Sequence, residues 1–238
     1  MKVQIPLGIV LREGVSFENY VAGENIEAVQ HLKKSLSILA TDGLATQQAI
    51  YLWGSQGCGK THLLQAACQQ MALSECNSVY LPMSLLEGVE PSMFESMDEL
   101  SLVCIDDVHL IAGQRIWEEA LFHLYNRMRD AGGLMLISGD ASPAALDLTL
   151  ADLASRLSWG WVFQLAELDD EAKRQVLQCW AQARGLEMPD EVARYMLNRF
   201  QRNLDVLLEL LQRLDYASLV EQRRLTIPFV RACLLSEK

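Results

Sequence analysis

Hydrophobic residues in the first two thirds of the chain form short, nearly continuous runs. Runs of this kind are typical of strands that are buried on both faces of a parallel sheet. There are five of them: AIYLWG (49–54), SVYLPM (78–83), LVCIDD (102–107), LMLISG (134–139) and WVFQLA (161–166). Helical patterns separate the runs, and this alternation predicts a mostly parallel five-stranded sheet with right-handed crossovers.

The clearest helical pattern precedes the Gly132-Gly133 pair, which predicts the end of a helix. Its apolar positions predict one helical face, formed by Ile116, Ala120, Leu121, Leu124 and Met128. After about residue 168 only helical patterns remain, and acidic residues, Pro189 or Pro228 mark three of the helix starts. The pattern therefore predicts an α/β domain over residues 15–167 and a small all-helical domain over residues 168–238.

The N-terminal segment, residues 1–14, contains an alternating stretch, VQIPLGI at 3–9. Alternation favours a strand, but Pro6 removes a backbone donor and Gly8 weakens a strand interior. Two interpretations remain open: an edge strand folded back on its own domain, or a short extended peptide that docks on a partner.

Composition limits the class of protein. Half of the 238 residues are hydrophobic, enough for a sizeable core. No apolar run approaches the length of a membrane span, and the N-terminus does not match a secretory signal. The six cysteines show no regular spacing, and the four histidines form no metal-ligand pattern. We expect a cytoplasmic protein with reduced thiols and no membrane partner.

Charge argues against a nucleic-acid-binding protein. The chain carries 20 basic and 31 acidic residues, and the acidic excess lies before residue 168. A protein that grips phosphate backbones needs a basic face, so we predict no strong direct DNA binding. The five tryptophans lack interleaved basic residues, which favours core or interface packing over base stacking.

The strongest motif is GSQGCGKT, residues 54–61, which matches the phosphate-binding P-loop. Glycines let successive backbone N–H groups point at a phosphate, Lys60 supplies a charge and Thr61 a hydroxyl for Mg²⁺. The alternative is an ordinary glycine-rich turn with an exposed lysine. The candidate nucleotide-binding residues here are Gly54, Gln56, Gly57, Cys58, Gly59, Lys60, Thr61 and His62.

Two acids follow the third apolar run, 46 residues after the P-loop lysine. Asp106 at the end of a buried strand predicts a Mg²⁺-binding carboxylate, together with Thr61. Asp107 is then a candidate for orienting the attacking water. The alternative is a solvated strand end that carries two acids.

Four further stretches resemble AAA+ proteins of the DnaA type: SFENYVAGENIEAV (16–29), LMLISGD (134–140), LASRLSWGWVFQL (153–165) and FQRNLDVLLELLQRL (200–214). The resemblance implies that Phe17, Tyr20 and Val21 lie near the nucleotide base and that Asp140 lies near the γ-phosphate. It implies that Arg156 is an arginine finger for a neighbouring subunit's nucleotide and that Arg202 contacts phosphate. Asn203, Asp205 and Val206 depart from the family pattern beside Arg202.

The resemblance covers residues 15 to 235 and implies a P-loop AAA+ domain followed by a helical lid. It implies bound ADP or ATP with Mg²⁺, and weak or no ATP hydrolysis by the chain alone. The family's DNA-reading domain has no counterpart after the lid, so the expected role is regulatory. Arg156 would stimulate hydrolysis of ATP bound to DnaA and thereby prevent re-initiation of replication. Plain alternatives are a surface pair of Arg156 with Asp152 and a solvated Arg202.

The N-terminal stretch resembles the Q-x-x-L-x-[LFI] motif by which proteins dock on the bacterial β sliding clamp. This resemblance implies that Gln4, Leu7 and Ile9 contact the clamp of DNA polymerase III. The expected partners are therefore DnaA and the clamp, and a homodimer is allowed. Competing functions are a self-sufficient AAA+ ATPase and a DnaA-like loader or adaptor.

Overall fold

The computed structural model describes residues 15–85, 89–95, 97–201 and 203–235. It contains a parallel sheet in the spatial order β2-β3-β4-β1-β5. The strands are β1 (Ala49–Trp53), β2 (Ser78–Pro82), β3 (Leu102–Asp106), β4 (Leu134–Gly139) and β5 (Trp161–Gln164). All five predicted strands are confirmed, and every pairing in the described sheet is parallel.

Four helices accompany the sheet: α1 (Ile26–Asp42), α2 (Lys60–Leu73), α3 (Arg115–Ala131) and α4 (Ala151–Ser158). The central strands β3 and β4 are buried along their whole length, as their continuous apolar runs predict. The prediction is wrong for β5, where Trp161 and Val162 are exposed because this strand lies at the edge of the sheet.

Helix α3 also corrects one predicted face. Ile116 lies outside the buried stripe, with 72% of its surface exposed. The stripe instead passes through Trp117 and Glu118 and continues along Leu121, Leu124, Tyr125 and Met128. The sequence pattern assigned Ile116 to the buried face because it counts only apolar residues, whereas the buried stripe of α3 includes the carboxylate of Glu118.

The remaining helices are α5 (Asp170–Ala183), α6 (Asp190–Arg199), α7 (Leu204–Glu221) and α8 (Ile227–Leu235). They bury a core of their own, which includes Leu177, Met196, Leu211 and Phe229. Asp169 caps α5 by accepting the Ala172 N–H, as acidic N-caps do. The helical lid that the sequence predicts is therefore confirmed. No described helix is long and apolar enough to cross a membrane.

The chain divides into two compact units. Among the described residues, the first holds 15–17, 24–55 and 59–166, and the second holds 18–23, 56–58 and 167–235. The second unit thus includes two short segments from early in the chain. One of them supplies Val21, which packs against Leu168, Ala172 and Leu204.

Candidate nucleotide site and arginine finger

The phosphate loop leaves the carboxyl end of β1 and enters α2 at Lys60. Gly57 and Gly59 have positive φ angles of 81° and 95°, a region that favours glycine. Gly59 is also the N-cap of α2. The loop therefore ends at a helix N-terminus, which attracts phosphate through free N–H groups and the helix dipole.

Lys60 is buried at the first position of α2. Its Nζ donates to the carbonyl oxygens of Gly54, at 2.6 Å, and Ser55, at 2.9 Å. The ammonium group is thus held against the loop that precedes it. This placement gives a point charge beside the same loop that would receive a phosphate.

Asp106 lies at the end of β3 and accepts hydrogen bonds from three hydroxyl groups. Thr61 Oγ1 donates to Oδ2 at 2.8 Å, and the Tyr80 hydroxyl donates to the same oxygen at 2.6 Å. Ser138 donates to Oδ1. The structure therefore brings Thr61 and Asp106 together as the sequence predicts, and their oxygen donors fit Mg²⁺.

Asp107 has a left-handed backbone, with φ at 59°, and its N–H donates to Ser138 Oγ at 2.9 Å. Burial raises the pKa of Asp107, and the neighbouring Asp106 and Asp140 carboxylates raise it further, against the opposing charges of His109 and Lys60. A carboxyl group of this kind accepts a proton more readily than an exposed aspartate.

His109 lies between the two remaining acids of the site. Its Nδ1 is 4.0 Å from an Asp107 carboxylate oxygen and 3.8 Å from one of Asp140. Asp140 follows the end of β4 and is largely exposed. The three side chains lie together at the carboxyl edge of the sheet.

Sequence reasoning missed Tyr80, Ser138 and His109. A signal existed for Ser138, which is a polar residue inside the otherwise apolar run of β4. Tyr80 gave none, because tyrosine is common in strands and its contact with Asp106 depends on the pairing of β2 with β3.

The residues predicted near the base lie in different units. Phe17 is buried in the first unit, where Lys33 lies 5.4 Å from its ring centroid. Tyr20 and Val21 belong to the second unit. His62 Nε2 lies 2.9 Å from the Ser16 carbonyl oxygen, a hydrogen bond that requires the proton on Nε2.

Two groups of predicted residues lie outside the described residues: Arg202, and the N-terminal residues Gln4, Leu7 and Ile9. Next to Arg202, Asn203 caps α7 by accepting the Asp205 N–H at 2.8 Å. The departure from the family pattern at Asn203 thus has a local structural role.

Arg156 lies in the last turn of α4. Its guanidinium lies 4.4 Å from the Trp159 ring centroid, and Trp159 is 63% exposed. Within the described part of the chain, no ion pair joins Arg156 to Asp152. The stacking holds a cation at the surface beside an aromatic face.

Topology separates Arg156 from the chain's own phosphate loop. All strands run in the same direction, and Trp161, the first residue of β5, pairs in register with Ile50 of β1. Arg156 precedes β5, whereas the loop follows Trp53, so about 10 Å of strand separates the two ends. Arg156 and the phosphate loop therefore lie toward opposite ends of these two strands.

Comparison with known families places these features in context. The model of the bacterial DnaA ATPase domain family matches residues 11–164. The model described as the Hda lid domain matches residues 170–234. An uncharacterized protein from Haemophilus influenzae is 40% identical over 235 residues, covering 98% of this chain and 99% of that protein.

Solved structures show the same fold at lower identity. Domain III of the Thermotoga maritima replication initiation protein DnaA is 23% identical with a TM-score of 0.78, covering 95% of this chain and 98% of that one. AMPPCP-bound DnaA from Aquifex aeolicus is 24% identical with a TM-score of 0.69, covering 90% and 70%. The Thermotoga maritima RuvB branch migration motor is 18% identical with a TM-score of 0.67, covering 93% and 71%.

Proposed function

This chain belongs to the bacterial DnaA ATPase-domain family and has a lid of the Hda type, and we propose that it stimulates hydrolysis of DnaA-bound ATP. The observation that carries the proposal is the position of Arg156. This arginine is partly exposed and lies near the amino edge of the sheet, toward the end opposite the chain's own phosphate loop. A cation there is available to a nucleotide held by a docked neighbour.

An arginine in trans stabilises the charge that develops on the γ-phosphoryl group and its leaving oxygen. Its planar fork donates several hydrogen bonds at once, and such fingers contribute factors of about 10³–10⁵ in rate. Stacking on Trp159 already restricts the Arg156 side chain, so less conformational entropy is lost when it enters a neighbour's site. DnaA would be converted to its ADP form, and initiation would be held back.

The chain's own site is proposed to hold ADP or ATP with Mg²⁺. The loop before α2 would receive the phosphates, and Thr61 with Asp106 would hold the metal ion. The named Aquifex aeolicus DnaA structure contains the ATP analogue AMPPCP, which supports an adenine nucleotide. In this protein the bound nucleotide would order the domain for docking on DnaA.

The DNA-loaded β sliding clamp is the proposed second partner. Gln4, Leu7 and Ile9 would bind it as an extended peptide, with the apolar side chains in pockets. Tethering to the clamp raises the effective concentration of the regulator near newly copied DNA. Stimulation would then depend on the clamp being present.

A second candidate function is ATP hydrolysis by this chain alone. The grouping of Asp107, His109 and Asp140 beside Asp106 favours it, because a positioned carboxylate can orient water. Sustained turnover by the purified protein without DnaA, lost in Lys60→Ala and unaffected by Arg156→Ala, would favour this candidate.

The deciding experiment measures hydrolysis of DnaA-bound ATP with DNA-loaded clamp and each variant. We expect Arg156→Ala to lower the stimulated rate by about 10³-fold or to the unstimulated level. Arg156→Lys should restore little, since a lysine lacks the planar fork. Arg115→Ala is the control, because Arg115 pairs with Glu119 on an exposed helix face. Equal stimulation by wild type and Arg156→Ala would overturn the finger.

A further inference from the structure

A carboxylate without a predicted role is fully buried in the first unit. Glu118 lies near the start of α3 and is 0% exposed. Its Oε1 accepts the N–H groups of Gly113, at 2.7 Å, and Thr149, at 3.1 Å. Its Oε2 accepts the Thr149 hydroxyl and the Leu150 N–H, both at 2.7 Å. Four donors from two separate segments therefore converge on one side chain.

Such a group is expensive to bury unless it is fully hydrogen-bonded. Burial alone would raise the pKa of Glu118, but the hydrogen bonds from Thr149, Leu150 and Gly113 outweigh burial and hold the pKa below its ordinary value. Glu118 is thus an ionised, fixed acceptor. Charge-assisted hydrogen bonds of this kind are about twice as strong as neutral ones.

The two segments joined by Glu118 adjoin different elements of the fold. Gly113 follows the 3₁₀ turn Val108–Ile111, which leaves Asp107 and carries His109. Thr149 and Leu150 come directly before α4, and Leu150 is its N-cap residue. Glu118 therefore joins the start of α4, the helix that carries Arg156, to the segment that follows Asp106, the proposed Mg²⁺ ligand.

We propose that Glu118 is a positioning residue for Arg156, which fixes the start and direction of α4 and so aims the finger. This inference rests on the proposed function. Arg156 lies five residues after Ala151, or about 7.5 Å along the helix. A tilt of about 10° at Leu150, about 9 Å from Arg156 along the helix, moves Arg156 by about 1.5 Å. A misplacement of about 1 Å is enough to cost about 10²-fold in rate.

The test is Glu118→Gln, assayed by the stimulated hydrolysis of DnaA-bound ATP in the presence of DNA-loaded clamp. Glutamine preserves the volume but presents an NH₂ group to N–H donors. We expect the maximum rate to fall about 10- to 100-fold, since the arginine is displaced at the moment of reaction. The concentration giving half-maximal stimulation should stay within twofold, because the docking surfaces are unchanged.

Glu119→Gln is the matched control, since Glu119 is the next residue on α3 and makes an exposed pair with Arg115. It should behave as wild type. Affinity for ADP, measured with a fluorescent analogue, should stay within twofold in both variants. If Glu118→Gln does not fold, Thr149→Val carries the test, because it removes only the hydroxyl donor; we expect a smaller loss in the same maximum rate.

The outcomes separate this inference from the proposed function. An unchanged maximum rate in folded Glu118→Gln overturns the positioning role. A change only in the concentration that gives half-maximal stimulation overturns it as well. If Arg156→Ala itself leaves stimulation unchanged, the proposed function fails instead. A reduced rate with Arg156→Ala and a normal rate with Glu118→Gln would leave the finger intact and remove only Glu118 from its support.

Discussion

Asp106 is held in place by three hydroxyl groups from three elements. Thr61 lies in the first turn of α2, Tyr80 lies on β2 and Ser138 lies on β4. Each donates to a carboxylate oxygen, so the protein itself orients the carboxylate that we propose as a Mg²⁺ ligand. Residues that orient a metal ligand contribute to metal affinity without touching the ion.

Tyr80→Phe tests this orientation. Without the Tyr80 hydroxyl, Asp106 Oδ2 loses one hydrogen bond, and the carboxylate is held less firmly. We expect Mg²⁺ affinity, titrated in the presence of bound ADP, to fall about 10-fold. Nucleotide affinity without Mg²⁺ should change little. Tyr216→Phe, at a position 73% exposed, is the control; equal Mg²⁺ affinity in all three proteins would contradict the prediction.

Among the elements, the junction between α4 and β5 is constrained by the close approach of Gly160 to β1. Gly160 stands between Trp159 and β5 and lies against the first residue of β1. A Cβ added to Gly160 would approach the Ala49 carbonyl oxygen closer than real Cβ atoms come to backbone. The position therefore requires glycine for close approach of two backbones.

Gly160→Ala is expected to push β5 away from β1. Strain of this type costs about 1–3 kcal/mol, which lowers the melting temperature by roughly 2–12 °C in a chain of this length. Thermal unfolding followed by circular dichroism measures the shift. Ser158→Ala, two residues earlier on an exposed site, should leave it nearly unchanged. A normal melting temperature in Gly160→Ala would contradict the prediction, since β5 would then move away from β1 without loss of stability.

For the whole molecule, the two proposed partners use different parts of the chain. Arg156 is the residue proposed to act on DnaA. Gln4, Leu7 and Ile9, which are proposed to bind the clamp, lie outside the described residues. A net charge of −11 opposes direct attraction to DNA phosphates. The clamp would therefore supply the link to DNA.

The double variant Gln4→Ala with Leu7→Ala tests the clamp segment. We expect clamp binding in surface plasmon resonance to fall at least 10-fold, because a pocket-filling side chain and a rim hydrogen bond are lost. ADP affinity should stay within twofold. Val3→Ala with Val10→Ala is the control, since neither residue belongs to the motif. Retained clamp binding would exclude the peptide, and loss of folding would favour the edge strand.

The sequence alone determined the elements and the main chemical groups. Runs of apolar residues located all five strands, and for β3 and β4 this local signal comes from burial on both faces. The glycine pattern, Lys60 and Thr61 located the phosphate loop, since backbone curvature and charge must be encoded at fixed spacing. The change of period near residue 168 likewise predicted the helical lid.

Only the tertiary structure decided which distant residues meet. The strand order sets Ser138 and Tyr80 on either side of Asp106 and leaves Trp161 on an exposed edge. Strand pairing depends on long-range contacts, to which local periodicity is insensitive. Glu118 was hidden for the same reason, because a buried carboxylate is recognisable only when its four donors from distant segments are in place.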